Sequence, residues 1–186
     1  MKIGKFNTVS NYISLFRLLL SIPVYFLLDG MNESEYYRTI LIVILWIAYF
    51  SDIVDGYFAR KLNQISEWGK IIDPLADKVL VVIIVIKLFL MSEIPDYYFW
   101  IILLRDVVIF TGGIFVSKKL GKVLPSDYVG KITVATIALF IIIVISNVSH
   151  SFWLYQLLLY ASIILSFASV INYGLRAYKI IKAETK

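Results

Sequence analysis

The sequence predicts an all-α integral membrane protein, a six-transmembrane-helix bundle with a polar cavity open to the cytoplasm. Three observations carry that expectation. The chain is 60% hydrophobic and 17% charged over 186 residues, with a mean hydropathy of +0.84, too apolar for an ordinary soluble domain. Apolar segments of about 20 residues, long enough to cross about 30 Å of hydrocarbon, recur along nearly the whole chain. Runs such as LIVILWIAYF and VLVVIIVIKLFL are apolar on every side, whereas membrane barrel strands alternate apolar with polar positions.

The first helix is expected over residues 10–28. The preceding MKIGKFNTVS carries two lysines but leads into a segment containing Arg17, without a clear small-residue cleavage site, so a retained helix is expected in place of a signal peptide. The others are expected over 36–60, 70–91, 97–118, 127–147 and 152–180, joined by DGMNESE, KLNQISEWG, MSEIPD, SKKLGKVLPS and SNVSHS. Connections this short and polar make successive helices antiparallel neighbours in a single domain, 1–186.

Lysine and arginine orient the bundle, because they are retained on the cytoplasmic side. Lys2, Lys5, Arg60, Lys61, Lys70, Lys118, Lys119, Lys122, Arg176, Lys179, Lys182 and Lys186 all fall on the side of the termini, and only Arg38 and Lys87 fall opposite. Both termini and the stretch SDIVDGYFARKLNQISEWGKIIDPLADK are therefore expected to face the cytoplasm. The net charge of +5 favours anionic headgroups or phosphate-bearing substrates at that face. Nucleic acid is a poor partner for a membrane chain with such short loops. There is no cysteine, so any metal chemistry must use oxygen and nitrogen ligands.

That stretch plants Asp52, Asp55, Asp73 and Asp77 between two long apolar runs. Helical spacing puts Asp52, Asp55, Gly56 and Ala59 on one face, and Gly69, Asp73 and Asp77 on one face of the next helix. An aspartate at the centre of a span costs about 2.5 to 3.5 kcal/mol, less near the interface, so four need compensation. Hard divalent cations supply it, since Mg²⁺ or Mn²⁺ prefers carboxylate oxygens and keeps positions open for substrate phosphates. Solvated loop charges, or ion pairs with Arg60, Lys61, Lys70 and Lys78, would explain any one of these acids. They explain four on matched faces, interleaved with small residues, far less well.

Together Asp52, Asp55, Gly56, Ala59, Arg60, Gly69, Asp73 and Asp77 read D-x2-D-G-x2-A-R-x8-G-x3-D-x3-D. This resembles the CDP-alcohol phosphotransferase family at every fixed position. NTVSNYISLFR is similar to the asparagine-rich opening of that family's first helix, with Asn11, Ser14 and Arg17 in matching places and Ser14 where threonine is more usual. The resemblance implies transfer of a substituted phosphate from a CDP-linked donor, usually CDP-diacylglycerol, to an alcohol, with release of CMP. It implies that Asp52, Asp55 and Asp73 bind two Mg²⁺ or Mn²⁺ ions, with Asp77 as a further ligand and the general base. Gly56, Ala59 and Gly69 would floor the nucleotide site, with Asp52 beside it and Arg60 on its phosphate. A homodimer among membrane lipids, in a bacterial cytoplasmic membrane, is implied as well.

For the acceptor, Arg105 in LLRDVV and Lys131 in YVGKIT lie inside apolar spans toward the basic side. Intramembrane cations usually face a polar cavity, although either one could snorkel or pair with Asp106 or Asp127. If both face the pocket, the acceptor carries its own phosphate. The layout is similar to the branch of the family that uses glycerol 3-phosphate, and inositol phosphate or phosphatidylglycerol are the alternatives. Outside the family, intramembrane aromatic prenyltransferases lack the glycine, alanine and arginine interleaving. An ion-coupled transporter would favour inverted repeats, and the aspartate stretch has no internal copy.

Overall fold

The computed structural model describes residues 9–61, 69–120 and 127–184, with side chains at 12–51, 78–117 and 127–182. Among these residues there are helices and no strands. The helices are α1 Val9–Gly30, α2 Glu35–Lys61, α3 Gly69–Leu90, α4 Asp96–Leu120, α5 Tyr128–Ile145 and α6 Trp153–Glu184. Each falls within a few residues of its expected place. Four stretches within them, Tyr12–Gly30, Asp96–Ser117, Tyr128–Ile145 and Trp153–Lys182, are long and apolar enough to cross a bilayer. The chain is therefore a multi-pass integral membrane protein, with outward-facing Leu19, Phe26, Phe115 and Ile164 exposed as lipid-facing side chains are.

The chain divides into two compact units, Met1–Met91 and Ser92–Lys186. In the first, α1 packs against both α2 and α3, and Val24, Leu28, Leu41, Ile84 and Leu88 form its apolar core. Lys87 near the end of α3 reaches Asp29 near the end of α1 at 2.5 Å, so these two helices run in the same direction. Between α1 and α2 the chain turns at Gly30, where a Cβ would stand 2.9 Å from the Tyr37 ring. Only glycine lets α2 close over the turn so tightly. Asn32 in this turn accepts a hydrogen bond from Arg38 at 2.5 Å.

In the second unit α6 packs against α4 and α5. The Ser162 and Tyr98 hydroxyls lie 3.3 Å apart and Arg105 donates to Ser169 at 3.2 Å, both pairs 64 residues apart, so α4 and α6 run in the same direction. The fifth helix runs the other way. Thr133 meets the Leu165 carbonyl at 3.1 Å, and Phe140 lies edge-on to Tyr155 with centroids 5.1 Å apart. Close approach is possible because Ser162, Ser166 and Ser169 form a buried stripe on α6, small residues at the helix contact. Each serine hydroxyl donates to a carbonyl one turn earlier on α6, leaving no orphaned donor there.

Candidate active site

The first acid pair and its small neighbours, Asp52, Asp55, Gly56, Ala59 and Arg60, lie in the last turns of α2. Gly69 opens α3, with Asp73 and Asp77 in its first turns. The helical state on which the shared-face argument depends is thus present on both sides of the connection. The side chains of all eight residues, and with them the expected convergence of four carboxylates, lie outside the described residues.

The first helix adds to this end of the unit. Asp29 and Lys87 meet at a separation of 58 residues, and in helices running the same way that offset puts Arg17 at about the level of residue 75. Ser14 is fully buried and Arg17 is 3% exposed. A guanidinium held out of water on an apolar helix is costly unless its surroundings are polar. The α1 segment level with the start of α3 is therefore polar on its inner side. Asn11 lies outside the residues with described side chains. The chemistry of the α2 and α3 donor set, carboxylate oxygens alone, fits a hard dication. Among the described residues no group of three histidine, cysteine or acidic side chains converges.

In the second unit, Arg105 on α4 is 10% exposed in its side chain, with Nη1 2.5 Å from Asp106 and Nε 3.2 Å from the Ser169 hydroxyl of α6. The ion pair with its chain neighbour therefore forms. Lys131 in the first turn of α5 is exposed and does not pair with Asp127. That acid instead caps α5, accepting from the Gly130 amide at 2.9 Å. Its second oxygen accepts from Asn172 and lies 4.0 Å from the Arg176 guanidinium. Asn172 and Arg176 were not among the residues expected to matter from the sequence. Their signal was an amide and a cation one turn apart on an apolar helix. Lys122 lies outside the described residues, and His150 stacks on Tyr155 with centroids 4.7 Å apart, a packing role.

The fold and the acids that close α2 and open α3 define a membrane-embedded helical protein with a carboxylate-rich candidate site. The sequence profile of CDP-alcohol phosphatidyltransferase matches residues 7–168, running from before α1 into α6. The chain belongs to the CDP-alcohol phosphatidyltransferase family. It is 36% identical over 183 residues to the CDP-diacylglycerol--glycerol-3-phosphate 3-phosphatidyltransferase of Aquifex aeolicus, covering 95% of this chain and 99% of that protein. A protein of the same name from Wigglesworthia glossinidia brevipalpis is 29% identical over 90% of this chain and 93% of its own. One from Bacillus subtilis is 39% identical over 48% of this chain and 46% of its own.

Proposed function

We propose that the chain transfers the phosphatidyl group of CDP-diacylglycerol to glycerol 3-phosphate and releases CMP, the reaction of a phosphatidylglycerophosphate synthase. The observation that carries this is near full-length likeness to a relative bearing that activity in its name, in a chain that also keeps the complete acid pattern of α2 and α3. Asp52, Asp55, Asp73 and Asp77 would hold two Mg²⁺ or Mn²⁺ ions. When bound, such ions neutralise charge on the phosphoryl oxygens and on the departing CMP.

The chain's own residues do the rest. Gly56, Ala59 and Gly69 leave room for the nucleotide against the backbone, and Arg60 meets its phosphate. Asp77 takes the proton from the acceptor hydroxyl as that oxygen bonds to phosphorus, and the bond from phosphorus to the CMP oxygen breaks. Arg105 and Lys131 hold the phosphate of glycerol 3-phosphate. The anchoring of Arg105 by Asp106 and Ser169 supports this as preorganisation, since a fixed guanidinium binds an oxyanion with less loss of freedom. We place residues 1–186 in one catalytic domain that crosses a bacterial cytoplasmic membrane six times, with termini and acids on the cytoplasmic side, as a homodimer. The family match extending through both units supports a single catalytic domain.

The test is CMP release by the purified protein with CDP-diacylglycerol and Mg²⁺, offering glycerol 3-phosphate, inositol phosphate and phosphatidylglycerol separately. Glycerol 3-phosphate alone should support turnover, chelation of the dication should abolish it, and added Mg²⁺ should restore it. Turnover only with another acceptor would keep the donor chemistry and overturn the acceptor.

A further inference from the structure

The sixth helix is longer than a bilayer core requires. Its membrane-compatible stretch, Trp153–Lys182, is 30 residues long, or about 45 Å of helix, against about 30 Å of hydrocarbon. Two rulers place the inner edge of the hydrocarbon at the same point. Trp153 is exposed at the start of α6, where an interfacial tryptophan belongs, and about 20 residues onward lies Asn172. Independently, α5 is 18 residues long, about 27 Å, and its capping Asp127 is bonded to Asn172. Beyond Asn172 α6 therefore leaves the hydrocarbon and crosses the headgroup layer.

That segment presents an ordered surface. Leu175 and Tyr178 are exposed, and Lys179 and Lys182 are exposed four residues beyond each of them, while Ala177 is buried on the opposite side. Helical spacing aligns Leu175 with Lys179 and Tyr178 with Lys182, an apolar step followed by a cationic one. The Lys182 ammonium lies 5.9 Å from the Tyr178 ring centroid. Among the described residues Lys179 has no ion-pair partner. The nearby acid, Asp127, is committed to Gly130, Asn172 and Arg176. The side chain of Glu184 lies outside the described residues.

We infer that Lys179 and Lys182, seated on Leu175 and Tyr178, form a site for the headgroup of an anionic phospholipid on the protruding end of α6. Charge complementarity selects this occupant. The lysine side chains lean back toward the start of α6 and so reach down to the headgroup layer, the apolar pair beneath them borders that layer, and each lysine near an anionic surface contributes about fivefold to association. A neutral zwitterionic lipid offers the same acyl chains without the net charge. The inference rests on the geometry of α6 and not on the acceptor used in catalysis.

The full chain is reconstituted in nanodiscs of phosphatidylcholine with a minor fraction of phosphatidylglycerol and released into detergent, and its retained lipids are identified by native mass spectrometry. The wild type should retain phosphatidylglycerol preferentially. Replacing both lysines, Lys179→Gln with Lys182→Gln, should reduce that preference about 25-fold, about fivefold for each. The arginine pair, Lys179→Arg with Lys182→Arg, should keep it. The preference of the wild type should also fall as salt is raised, because the Debye length is only about 10 Å at 0.1 M. An unchanged preference in the glutamine variant overturns the inference. So does indifference of the wild type to salt, a reading that needs no variant to fold. Displacement by inorganic phosphate at matched ionic strength would assign the lysines to a soluble anion and overturn it equally.

Discussion

Lys87 lies near the end of α3, with its side chain 11% exposed, while its partner Asp29 is 56% exposed. Its ammonium also stands 3.8 Å from the Tyr25 ring centroid, so the aromatic face adds a cation–π contact to the ion pair. The two partners are unequal in what they leave behind. Removing Asp29 strands a cation in a nearly closed site, whereas removing Lys87 leaves a carboxylate that water can reach. Asp29→Ala is expected to lower stability by about 1 to 3 kcal/mol, and Lys87→Met by less than about 1 kcal/mol. Thermal unfolding of both variants in detergent checks the order. At the proposed general base, Asp77→Asn would remove the proton acceptor while keeping the size of the side chain. Turnover is expected to fall about 10²- to 10⁴-fold with CMP binding largely kept, read as CMP release beside CMP-dependent thermal stabilisation. Full activity in that variant would remove Asp77 from proton transfer.

At the scale of the helices, Asp127 ties the start of α5 to the far end of α6 through its cap and Asn172. Asp127→Ala loses both bonds and should cost about 1 to 3 kcal/mol, whereas Asp127→Ser keeps a capping oxygen too short to reach Asn172 and should fall between it and the wild type. Equal melting temperatures for serine and alanine would mean that the cap contributes nothing. The same residue marks what the sequence made legible. Long apolar runs bounded by polar connections placed all six helices, and Asp127 needed only to move from the first residue of α5 to its cap. Which faces would pack was not legible, because membrane helices are apolar toward lipid and toward core alike. On α5, Ile137, Phe140, Ile141 and Val144 are buried, while Ile132, Val134 and Leu139, of similar chemistry, are exposed. The aspartates stood out for the opposite reason, since charge in hydrocarbon is costly enough to demand a cause. The bond between Asp127 and Asn172 spans 45 residues, and no local spacing announces it.

For the whole molecule, helix direction is what links topology to chemistry. Within the first unit α1 and α3 run together, and within the second α4 and α6 run together against α5. Within each unit these are the directions that successive crossings of a bilayer would give. A chain without native cysteine allows each connection to be addressed by one introduced thiol and a membrane-impermeant maleimide. Ser149→Cys, in the connection after α5, should label in intact cells. Tyr128→Cys, at the exposed start of α5, should label only after the membrane is opened. The reverse pattern would put the ends of α2 and α3 that carry the acids on the outer face, away from donors and acceptors supplied by the cytoplasm, and would undo the proposed reaction. Labelling of both positions from one side would show that α5 does not cross, and the six-crossing bundle would fall with it. The predicted pattern would instead put the start of α5, the end of α6 and, by the alternation of six crossings, the acid-bearing ends of α2 and α3 on the cytoplasmic face, where a soluble acceptor can meet a lipid donor.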